Sequence, residues 1–183
     1  MADIYLDLKS IFDTRLFFGK GEKANTPLSD YHYPAEIFRG GRAEVGDILF
    51  ERGAALGDCA CCAGQEVSVN GFYAGAVALA GISSWGYYEE DFALCYEDGS
   101  EGKIRARFSD SRDPLFRSNA SSYKKVNAFF NRFGAPLLGP CACRDAQLFI
   151  YRCEGKSDGK KRLVKIRFPE NELMYVFGIT LKV

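Results

Sequence analysis

Two tight thiol clusters, Cys59-Ala60-Cys61-Cys62 and Cys141-Ala142-Cys143, are the residues of this chain best suited to metal or redox chemistry. Four thiolates drawn from Cys59, Cys61, Cys141 and Cys143 can hold a Zn²⁺ ion tetrahedrally if folding brings the clusters together. The spacing inside each cluster is one residue, shorter than zinc knuckles usually have. A thiol redox pair is the rival reading, although adjacent Cys61 and Cys62 bridge only with strain. Separate reduced thiols packed as small apolar groups are the third. Cys95, in the middle of an alternating stretch, reads as a core residue.

A second constellation is Ser84-Trp85-Gly86-Tyr87-Tyr88-Glu89-Glu90-Asp91. Aromatic rings beside a glycine on a loop can form a platform for a sugar. A pyranose offers an apolar face of C–H groups to a ring, while its hydroxyls take carboxylates and amides. Trp85, Tyr87 and Tyr88 would supply the platform, with Glu89 or Asp91 as acceptors. The plainer reading has Trp85 plugging the end of the fold and the tyrosines half buried. Tyr31-His32-Tyr33 is the third candidate. His32 is the only histidine, so one chain cannot build a catalytic triad or a multi-histidine metal site. It can hydrogen-bond a ligand, act as a lone base, or serve as an ordinary loop histidine. Glu36, after Pro34-Ala35, fits a structural role. Carboxylates are plentiful at turns (Asp98, Asp110, Asp113, Asp158, Glu170) and are of the kind that hold a structural Ca²⁺, but no calcium-loop spacing names the ligands. No phosphate loop, dinucleotide fingerprint or nucleophile elbow is present.

The elements that must position these residues are mostly strands. Phe92, Leu94 and Tyr96 alternate with Ala93 and Cys95, Asp98-Gly99 supplies a turn, and Ile104, Ala106 and Phe108 alternate with Lys103, Arg105 and Arg107. Period-two alternation on both sides of a Gly-containing turn predicts a hairpin whose second strand is apolar on one face and cationic on the other. Ala76-Val77-Ala78-Leu79-Ala80 reads as a buried strand ahead of it. Further strands are expected over residues 4–8, 47–51, around Val67 and Val69, over 147–153, over 163–168 with Val164, Ile166 and Phe168 on one face, and over 174–183. Residues 10–33 read as a long irregular loop. Within the excursion 109–139, Val126, Phe129, Phe130 and Phe133 fall at helical spacing, predicting one short amphipathic helix over 121–133. The count is about eight or nine strands with one helix: an all-β, two-sheet jelly-roll sandwich in one domain over residues 1–183.

Composition limits the function. The chain has 183 residues, 47% of them hydrophobic, enough for one sizeable core. Lys plus Arg equals Asp plus Glu at 24 each, which removes the electrostatic case for nucleic acid. No apolar run reaches membrane-span length, and Met1-Ala2-Asp3-Ile4 carries no secretory pattern. A native start there implies the cytoplasm, where seven cysteines would be reduced.

Several short motifs, in order, carry a resemblance. They are Tyr5-Leu6-Asp7-Leu8 with Ile11-Phe12, Tyr33-Pro34-Ala35-Glu36, Gly64-Gln65, Tyr96-Glu97-Asp98-Gly99-Ser100, Phe108-Ser109-Asp110, Ile166-Arg167-Phe168-Pro169-Glu170-Asn171 and Phe177-Gly178-Ile179-Thr180-Leu181. Along most of its length the chain resembles the non-catalytic, galactose-binding-like β-sandwich modules attached to bacterial glycoside hydrolases such as α-L-fucosidases and β-glucosidases. It departs where those modules often carry Trp after Ser-Asp and this chain has Ser111. The resemblance implies a module that is not an enzyme and binds a carbohydrate or small polar ligand on loops at one end, over residues 84–91 and 31–36. The alternatives are a protein–protein interaction or assembly module using the Phe-rich helix or a sheet edge, and a zinc-binding or thiol-redox protein using the cysteine clusters.

Overall fold

A computed structural model describes residues 3–18, 33–53, 57–110, 122–128 and 146–183, with backbone alone for 34, 122–128 and 146–149. Among these residues the strands are β1 (Ile4–Tyr5), β2 (Phe17–Phe18), β3 (Tyr33–Pro34), β4 (Arg42–Val45), β5 (Ile48–Glu51), β6 (Ala60–Ala63) and β7 (Glu66–Tyr73). They continue as β8 (Ala76–Ser83), β9 (Tyr88–Tyr96), β10 (Glu101–Phe108), β11 (Ser122–Ala128), β12 (Ala146–Lys156), β13 (Arg162–Arg167) and β14 (Glu170–Lys182). Two single-turn 3-10 segments, Lys9–Ile11 and Ala35–Ile37, are the helical pieces described. No helix of the described residues is long and apolar enough to cross a membrane.

The larger sheet runs β6–β14–β8–β12, with β1 also on the β6 side of β14 and β11 added beyond β12. The smaller runs β7–β13–β9–β10. Neighbours in both are antiparallel. Counting β6 to β14 without β11 as one to eight, the sheets read 1-8-3-6 and 2-7-4-5, the strand order of a jelly roll. The all-β sandwich is as the alternation predicts. In the β9–β10 hairpin Phe92, Leu94, Ile104, Ala106 and Phe108 are buried, while Lys103, Arg105 and Arg107 face out. The sheets approach closely where the larger one carries glycine. A Cβ on Gly155 would fall 2.6 Å from Ile104 Cγ2, and one on Gly81 would strike the Phe108 ring and the Tyr175 carbonyl.

A third, partial layer covers the outer face of β14. It consists of the β4–β5 hairpin and the parallel pair β2–β3. A bulge creates its seat. Val176 faces Gly81 and Gly178 faces Ala80, so Phe177 is the extra residue. The Phe177 ring meets Phe17 at 5.3 Å, Phe50 at 5.8 Å and Tyr33 at 5.9 Å between centroids.

Four expectations change. Ser122–Ala128 is a strand, not the start of a helix over 121–133. Its backbone pairs with β12 from Ser122↔Arg152 to Ala128↔Ala146, so an open sheet edge outweighed the local 3.6-residue spacing. Phe129, Phe130 and Phe133 lie outside the described residues. In β13 a register shift between Leu163 and Lys165 buries Leu163 and leaves Val164 half buried, because a bulge shifts the side-chain phase. Cys95 is not core: it alternates with the buried Leu94 and Tyr96, so its thiol faces Glu101 on the outer surface. The expected loop 10–33 includes buried Leu16, Phe17, Phe18 and Tyr33, which belong to the third layer.

Candidate ligand-binding site

Residues 84–87 carry the chain from the end of β8 across the sandwich to the start of β9, and residues 108–110 and β14 fix them. The Ser83 amide donates to Ser109 O at 3.0 Å. The Ser83 hydroxyl is shared between the carbonyls of Phe108 and Gly86. The Ser84 amide donates to Leu173 O on β14 at 2.8 Å. The Trp85 amide donates to Asp110 Oδ2 at 2.8 Å. Asp110 is itself buried, and its carbonyl accepts from the Tyr151 hydroxyl of β12 at 3.1 Å.

This network holds Trp85 at φ +62°, the sole non-glycine residue with positive φ among those described. A bulky side chain in that region is strained by about 1–3 kcal/mol and persists only where surroundings dictate it. The strain does not hide the ring: Trp85 is 65% exposed. Trp85 is therefore not a plug in the sandwich.

Its expected partners are placed differently. Tyr87 is half buried, and its hydroxyl donates to the Glu89 carboxylate. Burial, with Glu89 beside it, pushes the Tyr87 phenol up to about 12. Tyr88 is half buried against the core. Glu89 also accepts from Arg107 Nε at 3.1 Å, and Tyr87 and Arg107 together hold its carboxyl below the ordinary value. Asp91 is bound by Arg105 at 2.9 Å and Lys103 at 2.7 Å, which hold its carboxyl well below the usual range. These ion pairs follow the hairpin register, in which Glu89 faces Arg107 and Asp91 faces Arg105.

Tyr31 and His32 lie outside the described residues. Tyr33 is fully buried in the third layer, and Glu36 is exposed in the 3-10 turn that follows. The described part of that loop joins the layer over Phe177, whereas residues 84–87 cross the sandwich end.

Of the proposed zinc ligands, Cys59 and Cys61 are described and Cys141 and Cys143 are not. The Cys59 thiol is buried and donates to Thr14 O at 3.2 Å; the Cys61 thiol donates to Glu172 O at 3.3 Å. Burial pushes Cys59 and Cys62 well above the ordinary thiol value and Cys61 to about 11. At neutral pH these are protonated thiols and poor nucleophiles. Among the described residues no three His, Cys, Asp or Glu side chains are grouped to hold a metal ion, whether Zn²⁺ or Ca²⁺.

Two features escaped the sequence reading. Asp58 is buried, and its carboxylate accepts the Leu16 amide at 2.8 Å and the Phe17 amide at 3.1 Å. A cleft of about 360 Å³ opens between the N-terminal segment and β5, lined in part by Leu6, Lys9, Arg42, Leu49, Glu51 and Phe177. The only signal for either was an acidic residue beside Gly57 and an outward leucine in β5.

No protein-family model matches the chain, and no characterised protein matches it significantly.

Proposed function

We propose that this chain is a non-catalytic carbohydrate-binding module whose site is the Trp85 turn at one end of the jelly roll. The observation that carries the reading is a tryptophan held in a left-handed backbone by buried Asp110 while the residue is 65% exposed. Exposing a large apolar ring forgoes burial, and fixing its backbone adds strain; both are repaid when a sugar's C–H face stacks on it. The jelly-roll order agrees with the resemblance to galactose-binding-like modules at the level of fold, which alone does not fix a ligand.

Binding is favoured over hydrolysis. A glycosidase needs one carboxylic acid kept protonated and another facing it across a cleft. Glu89 and Asp91 lie on one strand; Tyr87 with Arg107 holds the first ionised, and Arg105 with Lys103 the second. The test is a titration of Trp85 fluorescence against a panel of mono- and oligosaccharides. We expect a saturable shift with one sugar class, and, because Trp85 is the only tryptophan, calorimetric titration of Trp85→Ala with that sugar should show binding lost while the unfolding transition persists. No response to any sugar overturns the reading.

A further inference from the structure

We propose that the cleft between the N-terminal segment and the β4–β5 hairpin is a second, independent ligand site, taking a small carboxylate that bears an apolar group. Phe177 and Phe50 form its base, their rings stacked at 5.8 Å and both buried. Leu6 and Leu49, half buried, continue the apolar lining toward solvent. The volume, about 360 Å³, suits a small molecule.

The mouth is charged, with Lys9 and Arg42 standing beside Asp7 and Glu51. Lys9, from the 3-10 turn, and Arg42, from β4, converge on the single carboxylate of Glu51 on β5. Asp7 also lines the cleft and accepts the Lys9 backbone amide at 3.0 Å, so it serves the start of that turn. Arg42 engages Glu51 through Nε at 2.9 Å, and its side chain is 62% exposed. Its planar fork can therefore present the two terminal nitrogens to an incoming carboxylate, a geometry that favours bidentate binding. Exposed ion pairs are weak in water, so Lys9 can turn from Glu51 to a ligand at little cost. A neutral apolar ligand would fill the base without using the fork. None of the lining residues belongs to the Trp85 turn, so this site stands or falls apart from the carbohydrate reading.

Calorimetric titration of the whole chain with sodium 3-phenylpropanoate and with 3-phenylpropan-1-ol tests it. The acid is expected to bind saturably, about tenfold or more tighter than the alcohol, as charged hydrogen bonds dictate. Arg42→Gln should bring the acid to the alcohol's level, and Leu49→Trp should block both by filling the cleft. Absence of saturable binding overturns the proposal, as does equal affinity for acid and alcohol or undiminished acid binding in Arg42→Gln. Should Leu49→Trp fail to fold, the exposed Arg42 still decides the question.

Discussion

At Trp85 two unfavourable terms coincide, a left-handed backbone and an exposed indole. Glycine removes both. Trp85→Gly is expected to leave stability unchanged or raise it by up to about 1 kcal/mol, because the strain it relieves offsets the entropy it adds to the unfolded chain. A core plug would instead lose about 3–5 kcal/mol on truncation. Urea midpoints separate the outcomes, and sugar binding should vanish in the same variant. Asp58 gives a second prediction. Burial pushes its carboxyl up to about 6, outweighing the amides of Leu16 and Phe17 and the charges of Arg15 and Arg52. The folded state thus keeps the proton to higher pH than the unfolded state. The contribution of Asp58 is greatest below the unfolded value of 3.8 and declines as pH rises toward 6, by on the order of 3 kcal/mol. Asp58→Asn should flatten that fall in a series of urea titrations from pH 4 to pH 7. At this scale the sequence placed Trp85 between two strands and marked it as a candidate. Its backbone conformation was illegible because the anchoring carboxylate, Asp110, belongs to another segment. The ion pairs that occupy Glu89 and Asp91 were implicit in the hairpin register, in which acid faces base.

Among the elements, the β9–β10 hairpin was readable because everything that specifies it is local: alternation, a turn, and one cationic face. β11 was not, since the hydrogen bonds that make Ser122–Ala128 a strand come from β12. The same holds for the bulge at Phe177, a mismatch between β14 and β8 that neither strand announces alone. The contact between β8 and β10 gives a sharp test of packing. Gly81→Ala places a methyl against the Phe108 ring and, less forgivingly, the Tyr175 backbone carbonyl. A rigid carbonyl cannot swing aside as a side chain can, so destabilisation of about 1–3 kcal/mol is expected. Gly99→Ala, at a turn with open space around it and φ +80°, should show only the smaller cost of backbone strain, and thermal unfolding of the pair measures the difference.

For the whole molecule, the two-sheet architecture was legible, because antiparallel sheets packed on one face write a period of two into the chain, whereas the described residues hold fourteen strands against the eight or nine expected. The third layer was hidden: Phe17 and Tyr33 stand among turn residues and Phe50 in a separate strand, and only folding gathers them over Phe177. The topology also has a consequence for connectivity. Ile4 lies opposite Leu181 in the ladder, so the two extremities of the described chain are neighbours within one sheet. A short flexible linker across that gap would close the polypeptide into a ring, and the Asp98-Gly99 turn, exposed and remote from both proposed sites, offers a place to reopen it. Such a circular permutant should keep the far-ultraviolet circular dichroism and the cooperative melting of the parent. It should fold at a different rate, because joining β1 to β14 turns the most distant contact in the chain into a local one.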